Sequence, residues 1–162
     1  MVNVLGGTMR LSKNFTLNEF TKSQTATRRG LDNTPKGEHL EAAQQLFQHI
    51  VQPVRDKFGV TVINSGYRGP ALNEAVGGSS RSQHCKGQAV DIECPGHSNY
   101  AVAKFIEDNL DYDQLILEFY TPGIPDSGWV HVSYNNKGDQ RKQSLTAMKE
   151  NGKTVYKPGL IE

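Results

Sequence analysis

Cysteine is scarce: the 162 residues contain only Cys85 and Cys94, too few for the disulfide framework on which many small secreted folds depend. Lying nine residues apart, the two could pair, but a pair of free thiols is the favoured expectation. Net charge is scarce too. Eighteen basic and 17 acidic residues leave a formal +1, so the basic excess that draws a protein to nucleic acid is missing. Arg28-Arg29 and Arg141-Lys142 then read as solvated surface. No apolar run approaches the roughly 20 residues needed to span a bilayer. The opening stretch from Met1 to Phe15 also lacks the apolar core of a secretory signal. The expected location is therefore the cytoplasm of the producing cell, and any target beyond the membrane has to be reached with help. No repeat, low-complexity tract or Pro/Gly/Ser linker divides the chain, so a single domain over residues 1–162 is expected. With 36% hydrophobic and 22% charged residues, the composition is that of an ordinary globular protein.

Local signals place the elements. Thr16 followed three residues later by Glu19 has the capping-box form, so a short helix should open near Leu17. Thr34-Pro35 reads as an N-cap with proline in the first turn. Leu40, Ala43, Leu46, Phe47, Ile50, Val51, Val54 and Phe58 then keep helical spacing, with a kink expected at Pro53. Gly59 ends that helix, and the β-branched run Val60 to Ile63 predicts a strand. Residues 88–94 alternate as a second strand, and Ser98 caps an amphipathic helix reaching about Leu110. Residues 114–120 and 129–134 are two more strands. Asn151-Gly152 predicts a hairpin turn in the tail, residues 139–162. Helices first, then an antiparallel sheet with one helix inserted, make the class α+β.

The chemistry concentrates in Ser82-Gln83-His84-Cys85-Lys86-Gly87-Gln88-Ala89-Val90-Asp91. A neutral imidazole in a loop and a carboxylate on the following strand can converge on one zinc ion, which in catalytic sites takes three protein ligands and leaves a position open. Gly87 permits the tight turn between them, and Ala89 leaves room. Asp91 interrupts an apolar strand, where an unpaired carboxylate would be costly. The third ligand is expected to be His131, since Trp129, His131 and Ser133 share one strand face while Val130 and Val132 point to the core. His39, His49 and His97 fall outside these motifs, with His39 and His49 expected to face solvent.

These residues resemble the D-Ala-D-Ala-type zinc metallopeptidases, a family grouped with lysostaphin-type endopeptidases and the hedgehog signalling domain. The family pattern Ser-x-His-x-x-Gly-x-Ala-x-Asp is matched by Ser82, His84, Gly87, Ala89 and Asp91, and Trp-x-His by Trp129 and His131. Ser65-Gly66-Tyr67-Arg68, followed by Leu72-Asn73, resembles the segment carrying the family's substrate-anchoring arginine. Phe15 to Phe20 looks like the variant common in bacteriophage lysis proteins. The resemblance covers about Phe15 to Tyr134 and implies a hedgehog-like α+β fold, a zinc ion on His84, Asp91 and His131, and a peptidoglycan peptide as substrate. It also implies a monomer released through a holin-type pore or carried as virion cargo.

The pattern departs from the family at two places. A His-x-His element of many relatives is Trp129-Val130-His131 here, and the position where some relatives carry a catalytic glutamate is Gly128. Glu118, which ends the apolar run Leu115-Ile116-Leu117, is the expected general base, with Glu93 and Asp113 as alternatives. Arg68 offers a permanently charged fork for a carboxylate or an oxyanion. Ser82, Tyr67 and Trp129 are candidate substrate-binding walls. A zinc-stabilised binding module or virion component without catalysis is the competing reading. Which murein bond is cut, by carboxypeptidase or endopeptidase action, stays open.

Overall fold

A computed structural model describes residues 4–5 and 8–162. Strands β1 (Val4–Leu5), β2 (Thr8–Ser12) and β3 (Phe15–Thr16) form a small antiparallel sheet and lead into α1 (Leu17–Thr21). The capping signal works as expected: the Thr16 N–H donates to the Glu19 carboxylate at 3.0 Å. Next come α2 (Gln24–Arg29), α3 (Glu38–Leu46) and α4 (Gln52–Phe58).

The long helix starts later than Thr34-Pro35 suggests. The Thr34 N–H is taken by the Asp32 carboxylate at 3.0 Å, forming a local turn, and Gly37 stands at φ 54°, so helical geometry begins only at Glu38. Near Pro53 the irregularity takes the form of a π-helical turn over Phe47–Val51, in which the Gln52 N–H reaches back to the Phe47 carbonyl. Proline removes a donor and crowds the carbonyl four residues back, and a widened turn accommodates both effects.

The main sheet has six strands in the order β4-β5-β7-β6-β8-β9, namely Val62–Ser65, Ala89–Glu93, Trp129–Ser133, Gln114–Glu118, Gln143–Glu150 and Lys153–Pro158 in that spatial order. β4 begins two residues later than the apolar run alone indicates, and Val60 is left 63% exposed ahead of it. Two further short helices complete the chain, α5 (Pro70–Ala75) before β5 and α6 (Asn99–Asn109) after it. Ser98 caps α6 by accepting from the Ala101 N–H at 2.9 Å.

The expected antiparallel sheet is in fact mixed, because β6 and β8 pair in parallel. β7 and β8 flank β6, and the segment joining them crosses over the start of β6 instead of turning back beside β7. Asp113, only 4% exposed, pins that crossing. Its carboxylate accepts from the Arg141 backbone N–H at 2.9 Å, from Arg141 Nη2 at 2.8 Å and from Gln83 Nε2 at 3.0 Å. The tail hairpin forms as expected, with Asn151 and Gly152 both left-handed at φ 52° and 77°.

Val90, Ile92, Leu115, Leu117, Val130 and Val132 are fully buried on one sheet face, in one cluster with Leu46, Phe47, Ile50, Val54, Val102 and Ile106 of the helices. Each such side chain contributes about 1.5–3 kcal/mol by leaving water. Since side chains alternate along a strand, the opposite face is left to Asp91, His131, Ile116 and Glu118.

Candidate metal centre

A short 3₁₀ turn over Gln83–Lys86 presents His84. Ser82 caps the turn by accepting from the His84 N–H at 3.2 Å, and Gly87 closes it at φ 74°. A Cβ on Gly87 would stand 2.4 Å from the His39 carbonyl, so both the backbone angle and the packing demand glycine. His84 is 4% exposed, and its Nδ1 lies 2.8 Å from the Gly66 carbonyl. A carbonyl only accepts, so Nδ1 carries the proton and Nε2 turns its lone pair outward. Such a backbone partner is the usual support of a metal-binding histidine.

Asp91 on β5 and His131 on β7 are directly opposed in the antiparallel register. His84 Nε2 stands 3.4 Å and His131 Nδ1 2.9 Å from Asp91 Oδ1, and one potential ligand atom from each residue lies within 4.8 Å of the others. Burial opposes ionisation of Asp91, but the two imidazoles facing it, His131 first and then His84, outweigh it and hold the carboxyl well below its ordinary range. Among the described residues no lysine or arginine pairs with this carboxylate. Two imidazoles and one carboxylate at these separations suit a single tetrahedral zinc, whose bonds of about 2.0–2.2 Å place neighbouring ligand atoms roughly 3.3–3.6 Å apart. The donor set fits the ion.

A family model described as peptidase M15 matches residues 13–133, a stretch that contains all three of these side chains. The chain belongs to the peptidase M15 family. These are D-Ala-D-Ala-type metallopeptidases, and they are zinc-dependent. No curated protein matches the chain.

Around the three donors this M15 peptidase has an open cleft of about 460 Å3, lined among others by Arg68, Ser82, Ile116, Glu118 and Tyr156. Arg68 is half-buried, with Nη2 3.4 Å from Ser82 Oγ. Its Nε is buried and has no acceptor among the described residues. Glu118 enters the cleft two register pairs along from Ile116 and His131, on the same face of the sheet. Burial, with the Asp91 charge adding to it, raises the Glu118 pKa above its ordinary value, although His131 pulls the other way.

The two alternative bases stand elsewhere. Asp113 is committed to Arg141 and Gln83. Glu93 accepts from Asn64 at 2.7 Å and from Asn99 at 3.2 Å and lines a separate hollow beside Cys94. Tyr67 is 4% exposed with its hydroxyl 2.8 Å from His39 Nδ1, so His39 is half-buried in a contact and does not simply face solvent. His49 is exposed and stacks on Tyr134. Trp129 is half-buried against Phe119; its indole N–H has no well-aligned acceptor among the described residues but is near enough to Glu118 to favour the charged carboxylate there. Both cysteines are free, Cys94 buried beside Thr61 and Cys85 partly exposed.

Sequence reasoning missed Arg81, Arg141 and Tyr156 as residues of the cleft, because none belongs to a motif and the last two reach it through the parallel β6–β8 pairing.

Gly128 explains one departure from the family pattern. It sits at φ 68°, and a Cβ there would lie 2.0 Å from the Glu118 carbonyl oxygen. The chain enters and leaves this loop so tightly that Phe119, directly after Glu118, is also left-handed at φ 55°. A glutamate at position 128 is thus sterically excluded here. Gly128→Ala should cost at least about 2 kcal/mol, read as a fall in Tm of roughly 4–8 °C. A Tm within about 1 °C of wild type would show that the loop relaxes without strain.

Proposed function

We propose that this M15 peptidase is a zinc-dependent peptidoglycan peptidase whose metal is held by His84, Asp91 and His131 and whose general base is Glu118. The observation that carries the reading is that, of Glu93, Asp113 and Glu118, only Glu118 shares the cleft of the three metal donors. A zinc ion bound there supplies Lewis acidity toward a carbonyl oxygen and toward water.

The protein's own groups do the rest. Glu118, partly withdrawn from solvent, accepts a proton from the attacking water at its carboxylate and returns it to the departing amine. Its raised pKa suits a group that must both take and give a proton near neutrality. Arg68 holds a substrate carboxylate or the oxygen of the tetrahedral species with its planar, charged fork. Ser82 steadies both the His84 turn and the Arg68 guanidinium.

A polar cleft fringed by arginines suits murein peptides, which carry several carboxylates. The phage-type N-terminal stretch supports a lytic role, with synthesis in the cytoplasm and release by a holin-type pore or as virion cargo. A monomer suffices, since one chain supplies every residue named. Among the described residues no helix is long and apolar enough to cross a membrane.

Incubating the zinc-loaded protein with purified peptidoglycan and analysing the soluble products by mass spectrometry tests the reading. New peptide termini on stems or cross-links are expected. Intact stems with cut glycan, or no product at all, would overturn it.

A further inference from the structure

Beyond residue 133, where the family match ends, the chain extends the edge of the sheet beside β6 with β8 and β9. In register, Trp129 faces Glu118, Glu118 faces Ala147, and Ala147 faces Tyr156. Directly paired residues point to the same side of a sheet, so the four form one row on the face that carries the metal donors, and Glu118 and Tyr156 of that row line the cleft. Tyr156 is 55% exposed, and it lines the same cleft as the metal donors and Arg68. In the row the residue between it and Glu118 is Ala147, which is fully buried.

We infer that Tyr156 is a specificity-determining residue that contacts a peptide substrate at a distance from the bond being cut, so that the preferred substrate is a long or cross-linked stem peptide. The proposal rests on the peptidase reading above. Strands are spaced by about 4.8 Å, so Tyr156 lies roughly 10 Å from Glu118 along the row, or about three residues of extended peptide. From β5, which carries Asp91, to β9 is about 19 Å, or five to six residues. Arg68, just after β4, and Tyr156, on β9, therefore mark opposite ends of the crossing. A dipeptide reaching one end leaves the other empty. A substrate touching both has residues on each side of the metal donors, which is the requirement of an endopeptidase. Tyrosine suits the role, because a rigid ring offers a large apolar face at little entropic cost.

The test uses binding as well as turnover. The chain has one tryptophan, and Trp129 lies in the same row, so its fluorescence reports occupancy. Zinc-loaded Glu118→Gln protein is titrated with a sugar-free stem tripeptide and with a sugar-free cross-linked dimer of stem peptides. The dimer should bind about tenfold more tightly, and adding Tyr156→Ala should collapse that preference while Tyr156→Phe keeps it. Unchanged Tm and zinc content would show that the loss is local. Equal binding of the two peptides, a preference that survives Tyr156→Ala, a requirement for sugars, or no binding of either peptide would each overturn the proposal. If the dimer binds through Tyr156 but zinc-loaded wild type cuts nothing, the subsite stands and the peptidase reading fails.

Discussion

Glu118→Gln should leave zinc bound and the fold intact while lowering turnover of peptidoglycan by roughly a hundredfold or more. Glutamine keeps the size of the side chain and its capacity to accept a hydrogen bond, but at neutral pH it cannot take a proton. The three metal donors are untouched, and Glu118 sits at the end of β6 with its side chain toward the cleft, away from the buried Leu115 and Leu117. Packing thus gives no reason for the variant to unfold. A carboxylate without a catalytic role would behave otherwise, since surface substitutions usually shift a protein by no more than about 0.5 kcal/mol. The comparison needs matched zinc content and purified peptidoglycan. Equal rates would remove Glu118 from the mechanism. Neither alternative could then take over without rearrangement, because Asp113 would have to release Arg141 and Glu93 lines a different hollow. The same zinc-loaded wild type, if inert on every peptide yet able to bind them, would instead be a binding module.

The gathering of His84, Asp91 and His131 in the candidate site was legible because the signals for it are local or periodic. His84, Gly87 and Asp91 lie within eight residues, and the alternation that puts Asp91 on one face of β5 also puts His131 on the same face of β7, while their direct pairing is seen only in the structure. The α+β class and the tail hairpin were legible for the same reason, from period and turn chemistry. What was not legible depends on long-range geometry. Parallel pairing of β6 with β8 is set by a crossing that Asp113 and Arg141 pin from 28 residues apart, and no window of sequence records it. Without it, Tyr156 reads as a tail residue instead of a wall of the cleft. The late start of α3 was missed because Thr34-Pro35 is a sound helix opening on its own, yet Asp32 claims the Thr34 N–H first. Tyr67 lay in a motif, but its hydroxyl is directed inward to His39.

Removing the imidazoles should remove the metal. Wild-type protein is expected to carry one zinc per chain, and His84→Ala combined with His131→Ala should carry close to none. A lone Asp91 carboxylate cannot hold zinc against solution competitors, because the affinity comes from several donors already gathered in the fold. They are gathered here: the Gly66 carbonyl fixes the His84 tautomer, and strand pairing sets His131 beside Asp91. A ligand that binds only the folded state stabilises it by RT ln(1 + [L]/Kd), about 4 kcal/mol at a thousandfold excess over Kd. A chelator should therefore lower the Tm of wild type by roughly 8–16 °C, at 2–4 °C per kcal/mol for a chain of this size. On the double variant it should have no effect. That second arm separates metal loss from damage to packing, because His84 is buried and its truncation leaves a gap whether or not zinc was ever there. A chelator that lowers the Tm of the variant as much as that of wild type, or stoichiometric zinc surviving both substitutions, would place the ion elsewhere in the chain.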